Sequence, residues 1–121
     1  MGNMIAILGH IDVDPAVRDD VLAATVDLQR ATQTAEPGCV IYTFAADPTD
    51  PGRIRIVELW ATAEALDAHF QHPNFVATAA VMRRVERLGG SISKYRIDAV
   101  DEVRGADGMA TSRFSQGDVD R

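Results

Sequence analysis

Residues 39–60 read CVIYTFAADPTDPGRIRIVELW, and this stretch decides the fold. From Cys39 to Asp47, Val40, Tyr42 and Phe44 alternate with Ile41 and Thr43, the two-residue period of a strand whose successive side chains point to opposite faces. Asp47-Pro48-Thr49-Asp50-Pro51-Gly52 then gathers turn formers: prolines that preset φ, aspartates that bond nearby backbone, and a glycine. The second arm, Arg53 to Ala61, sets Ile54, Ile56, Glu58 and Trp60 on one face and Arg55, Val57 and Leu59 on the other. The pattern predicts an antiparallel hairpin that is largely apolar on both sides.

Upstream, Met4 to Asp12 predicts a strand with Ile5, Ile7 and Ile11 on one face and Met4, Ala6 and Leu8 on the other. Asp14-Pro15 supplies a helix cap and a proline at the first helical position. Val17, Val21, Ala24, Leu28 and Ala31 then predict one long helix running to the Glu36-Pro37-Gly38 break. Downstream, Thr62 caps a short helix to about Phe70, and Pro73 starts another. That second helix carries Phe75, Ala79 and Met82 on one arc, Val81, Val85 and Leu88 on the next, and solvated Arg83, Arg84 and Arg87 opposite. Gly89-Gly90 ends it, and Ser91 to Val100 predicts a last strand. Residues 1–103 form one domain, followed by a polar tail over 104–121, either flexible or docked on a partner subunit.

Strand, helix, strand, strand, helix, strand is the βαββαβ order of the α+β ferredoxin-like split βαβ fold, a four-stranded antiparallel sheet with helices on one face. The first three strands are apolar on both sides, so the uncovered face needs a cover. A second copy is the economical one, giving a homodimer with two sheets face to face.

Composition limits the function classes. The 121 residues suit a single core, and 46% hydrophobic with 25% charged residues is the globular range. A net charge of -6 repels nucleic acid and anionic membranes, so neither is an expected partner. Cys39 is the single cysteine, which excludes an internal disulfide and a cysteine-rich metal site and fits a cytoplasmic location. The apolar run from Met4 stops at Leu8, too short for a leader or a membrane span. Three dispersed histidines give no metal-site spacing, and Gly89-Gly90 closes a helix instead of opening a phosphate cradle, so no metal or cofactor is expected.

The ordered set Glu36-Pro37-Gly38-Cys39, Tyr42, Asp47-Pro48, Val57-Glu58-Leu59-Trp60, Ala65-Leu66-Asp67-Ala68-His69 and Pro73-Asn74-Phe75 resembles the antibiotic biosynthesis monooxygenase family across Met4 to Val100. The resemblance implies a dimeric α+β barrel with a pocket between helices and sheet in each subunit. It also implies oxidation of phenolic, anthrone-type or quinol substrates by molecular oxygen without metal or flavin. Three positions depart from particular branches. Asn74 stands where many relatives have a second histidine, Ala79 where the haem-degrading branch has its ligand, and Ile56 where the anthrone oxygenases have an asparagine.

On that chemistry the substrate must lose a proton before it can pass an electron to oxygen, so a base, a dry pocket and a partner for the anion are needed. His69 is the expected base, since imidazole titrates near neutral pH. Glu58 shares a face with Trp60 and is expected to orient His69; a buried structural carboxylate is the alternative. Trp60 is a candidate wall able to stack on an aromatic substrate. Tyr42 and Phe44 are further wall candidates, and His10 enters either the pocket or the dimer interface. Asn74 either binds a ligand oxygen or caps its helix. The same residues on the same scaffold would also serve a cofactor-free isomerase of a small hydroxyketone, or a non-catalytic small-molecule-binding dimer.

Overall fold

The hairpin forms because its turn is held from within. In the computed structural model, which describes residues 3–115, the buried Asp47 carboxylate accepts hydrogen bonds from the Thr49 amide and hydroxyl (both 2.8 Å), the Asp50 amide (3.1 Å) and Arg55 Nε (2.6 Å). The Thr49 donors and then Arg55 hold this carboxyl far below the usual carboxylate range. Arg18 reaches across to the Asp50 carbonyl at 2.8 Å and ties the first helix to the same turn.

The elements run β1 (Met4–Asp12), α1 (Pro15–Ala23), α2 (Val26–Ala35), β2 (Cys39–Ala46), β3 (Arg53–Trp60), α3 (Ala63–Gln71), α4 (Pro73–Met82) and β4 (Gly89–Ile97). The four strands form one antiparallel sheet in the order β2-β3-β1-β4, the ferredoxin-like arrangement expected from the sequence. Ile7 faces Glu58 and Ala6 faces Leu59 across the β1–β3 ladder, so the two faces of the strands are those the alternation predicts. A bulge at Val40 inserts an extra residue into β2.

All the helices cover one face. Ile7, Tyr42, Ile56, Trp60 and Leu66 form one buried cluster, and Val13, Val21, Ile54 and Val81 form a second. Helix α2 also shields the exposed edge of β2. The Gln29 side chain donates to the Phe44 carbonyl and accepts from its amide, each at 3.0 Å, and Gln33 donates to the Tyr42 carbonyl at 2.6 Å. Side-chain amides thus occupy backbone groups that another strand could otherwise pair with.

Two elements differ from the sequence expectation. The long first helix is two, broken at Ala24 and Thr25. The buried Thr25 hydroxyl donates to the Leu22 carbonyl at 2.7 Å, and its amide to the same carbonyl at 2.9 Å, a tighter turn that interrupts the α-helical ladder. The break leaves Ala24 exposed, whereas Val21 is buried and Val17, Leu28 and Ala31 are partly buried. Helix α4 ends at Met82, six residues before Leu88, because the Leu88 amide donates to the Asp12 carbonyl at 2.7 Å and draws the chain into register with β1. Beyond β4 the described chain curls on itself through Thr111 to Val103 and Gly105 to Met109 backbone bonds, both 2.9 Å. Residues 116–121 of the expected tail lie outside the described residues. Among the described residues no helix is long and apolar enough to cross a membrane.

Gly38 joins α2 to β2 at φ 83°, and a Cβ there would lie 2.5 Å from the Ala65 Cβ on α3. Gly38→Ala is therefore expected to cost about 1–3 kcal/mol through backbone strain and the clash. A fall in the urea midpoint at unchanged slope is the signature; an unchanged midpoint would contradict the account.

Candidate active site

Helices α3 and α4 do not close onto the sheet along their whole length. Between them and the strands lies a cavity of about 650 Å³, within the range of small-molecule sites. Its floor includes Ile7, Ile11 and Ile56, its sides Tyr42 and Phe44, and its roof Phe70, Phe75, Thr78, Ala79 and Met82. The arc of Phe75, Ala79 and Met82 visible in the sequence is this roof.

Glu58 is the one carboxylate facing that apolar space. Strand alternation puts it beside Ile56 and Trp60, and it is buried. Its Oε1 accepts the Trp60 indole N–H at 2.9 Å. Burial raises its pKa from 4.5 to about 7; the indole bond opposes the rise and the negative Glu36 adds to it. No cation is paired with Glu58 among the described residues.

Behind the wall lies a second polar cluster built on Glu36, the residue that ends α2. Glu36 Oε1 bonds His69 Nδ1 at 2.8 Å, and Oε2 accepts from Asn74 Nδ2 at 3.0 Å. A carboxylate oxygen can only accept, so the His69 hydrogen sits on Nδ1. His72 Nδ1 lies 3.7 Å from Glu36 and accepts the Asn74 amide at 3.0 Å, capping α4. The His69 ring stacks on Trp60 with centroids 4.6 Å apart and meets Tyr42 and Phe75 edge-on at 5.2 and 5.3 Å. Burial, and then the charge of Glu58, drive the Tyr42 phenol far above the usual range, and the Thr78 hydroxyl donates to the Asn74 carbonyl at 2.8 Å.

The sequence-named residues divide accordingly. Glu58, Tyr42 and Phe44 line the cavity. His69, Trp60 and Asn74 stand one layer back, with Tyr42 and Phe75 between the imidazole and the open space. The expected pairing of Glu58 with His69 is corrected: Glu36 orients the histidine, and Glu58 bonds Trp60. The Asn74 side chain is spent on Glu36, and the helix cap it might have supplied comes from His72. His10 belongs to the face opposite the cavity, with Ala6 and Leu8, 3.7 Å from Asp12.

Sequence reasoning missed the site roles of Glu36, which registered as the start of a helix break and as part of the family motif, and of Thr78. It also missed Arg83 and Arg87, which line the cavity because α4 unwinds before them. Cys39 is held as the thiol, burial and then Glu36 pushing its pKa up to about 11. Among the described residues no three His, Cys, Asp or Glu side chains are grouped to hold a metal ion.

A family model described as antibiotic biosynthesis monooxygenase matches residues 4–81. An uncharacterized protein of Synechocystis sp. is 34% identical over 71 residues, covering 59% of this chain and 48% of that protein, so the chain spans about half the length of this relative. The solved structure of a Caulobacter crescentus protein, provisionally named an antibiotic biosynthesis monooxygenase, superposes with a TM-score of 0.72 at 28% identity, covering 83% of this chain and 92% of its own. A Deinococcus radiodurans protein under the same provisional name shares the fold at a TM-score of 0.72 and 20% identity, covering 84% and 99% of the two chains.

The Glu58 environment has a consequence for stability. Between pH 4.5 and about 7 the folded protein retains a proton that the unfolded chain releases, so stability falls as pH rises through that window. Glu58→Gln is expected to flatten this slope and, at pH 8, to exceed the wild type by up to about 3 kcal/mol. Urea unfolding of both proteins at pH 5 and pH 8 measures it; parallel pH dependences would show that Glu58 is not held protonated.

Proposed function

The chain belongs to the antibiotic biosynthesis monooxygenase family, and on that premise we propose that it oxidises a small hydroxyarene or quinol with molecular oxygen, without a cofactor, using Glu58 as the proton acceptor. The observation that carries this reading is a single carboxylate with a pKa of about 7 facing an otherwise apolar cavity. A base is most effective when its pKa lies near the working pH, and in a dry cavity the anion it creates is not quenched by water.

The steps balance without an added reductant. Glu58 takes the hydroxyl proton, and the resulting aryloxide passes an electron to oxygen. Superoxide and the aryloxyl radical combine at a ring carbon, forming a C–O bond. Loss of the ring hydrogen from that carbon and cleavage of the O–O bond leave a carbonyl there. The second oxygen atom departs as water, carrying the two hydrogens the substrate has lost. The substrate is thus the source of all four electrons.

Trp60 holds the Glu58 carboxylate in place through its indole N–H, and the His69 ring stacked on Trp60 is fixed by Glu36. His69 is therefore a positioning residue in this reading, and Glu58 takes the role of base that the sequence alone suggested for the histidine.

The same reading includes a homodimer. Leu8, Ile41, Val57 and Tyr95 are all exposed on the sheet face that carries no helices. A second copy placed about a twofold axis would meet this face with the same face, apolar against apolar.

Oxygen electrode measurements on metal-stripped, flavin-free protein with 1-naphthol and a panel of quinols test the activity. The expected result is one oxygen consumed per substrate oxidised, a rate rising with pH around 7, and a loss of about 10²- to 10⁴-fold in Glu58→Gln. No uptake across the panel, or full activity in the variant, would overturn the assignment. Light scattering tests the assembly: wild type should run at twice the chain mass and Leu8→Glu at the chain mass. A monomeric wild type would refute the dimer.

A further inference from the structure

The cavity has two polar ends of opposite character. Glu58 lies opposite Ile7 on β1, whereas Val13, Val85, Arg83 and Arg87 lie toward the far end of that strand, where the Leu88 amide meets Asp12. From Ile7 to Ile11 the floor runs four residues, roughly 13 Å. Everything between is hydrocarbon or aromatic apart from the Thr78 and Tyr42 hydroxyls.

The arginines at the far end are available. Both are exposed, and neither is ion-paired among the described residues. Among the described residues the one hydrogen bond from either guanidinium runs from Arg87 Nε to the neighbouring Gly89 carbonyl at 3.2 Å. Asp12, the carboxylate next to Gly89, is already taken by Arg53 at 2.9 Å. Arg84, between them in sequence, turns instead to a shallow groove shared with Asp20.

The setting is unusual for this chain. Its net charge is -6, yet residues 83–96 hold five of its twelve basic side chains and a single acid, Glu86. Lys94 stands opposite Ile7 on β4, level with Glu58 and outside the cavity lining, so the basic groups that line the cavity are Arg83 and Arg87 at its far end. Both arginines follow the stretch, residues 4–81, that matches the family model.

We propose that the substrate is an amphipathic hydroxyarene acid, its hydroxyl toward Glu58 and its carboxylate held at the cavity mouth by Arg83 and Arg87. This deepens the proposed function and rests on its reading of the cavity as the substrate site. Two guanidinium forks match a carboxylate far better than they match a neutral ring edge. The rod-like spacing favours a hydroxyl and a carboxylate at opposite ends of a fused ring system. Anchoring the carboxylate at the mouth also fixes which end of the substrate enters first.

Binding under anaerobic conditions, where nothing turns over, separates this inference from the oxygenase reading. The probes are 6-hydroxy-2-naphthoate and 2-naphthol, titrated by calorimetry at pH 7 in 50 mM and 500 mM NaCl. Wild type is expected to bind the naphthoate at least about tenfold more tightly than the naphthol, with the preference shrinking at high salt. The Arg83→Gln, Arg87→Gln double variant should bring the ratio of the two affinities close to one, and the Arg-to-Lys double variant should restore part of it. Equal affinities in wild type, binding of neither probe, or a preference that survives in the glutamine variant would overturn the proposal. Absence of oxygen uptake with a retained, arginine-dependent preference would remove the oxygenase reading and leave the acid specificity standing.

Discussion

One buried carboxylate, Glu36, holds the roof of the cavity in place. It sits at the end of α2, bonds His69 on α3 and bonds Asn74 at the start of α4. Those two helices carry Phe70, Phe75, Thr78, Ala79 and Met82 above the sheet, so one side chain fixes the height and tilt of the roof. Breaking a buried pair by removing one partner costs about 3–5 kcal/mol, a large share of the stability of a domain this size. The bond thus sets geometry as well as stability, because no purely apolar contact would fix α3 and α4 to the same point.

Glu36 and Glu58 are both buried, yet they do different work because their neighbours differ. Glu36 is surrounded by donors, an imidazole and an amide, which compensate its negative charge. Glu58 has one indole N–H and otherwise hydrocarbon, and it feels the charge of Glu36 as well. Compensation makes the first a strut; the lack of it raises the pKa of the second to about 7.

Much of this was legible in the sequence, and the rest was hidden for a definite reason. The hairpin, the two faces of β1 and β3 and the arc of Phe75, Ala79 and Met82 follow from local periodicity, which depends only on neighbours in the chain. The position of His10 away from the cavity follows from the same parity. Glu36 bonding His69 joins residues 33 apart, and nothing in the spacing of either announces the other. The early end of α4 has the same origin. Arg83 to Leu88 is a good helical stretch by propensity, but pairing with β1 overrides it. Periodicity placed Arg83 and Arg87 in solvent, and both are exposed, but only the unwinding sets them at the cavity mouth as well.

Strand β3 couples the two faces of the sheet more tightly than either face alone suggests. Ile56, Glu58 and Trp60 serve the cavity side, while Val57 and Leu59 serve the open side, in strict alternation. A slip of one residue would exchange the sets, putting a carboxylate on the apolar open face and a valine in the cavity where Glu58 stands. Register is therefore constrained from both sides at once. The turn that fixes it, with Asp47 gripped by Thr49, Asp50 and Arg55, lies outside the cavity lining but determines which residue faces the cavity. That is why the turn is built so heavily. An error of one position there would lose the cavity's only carboxylate and the apolar face in a single step.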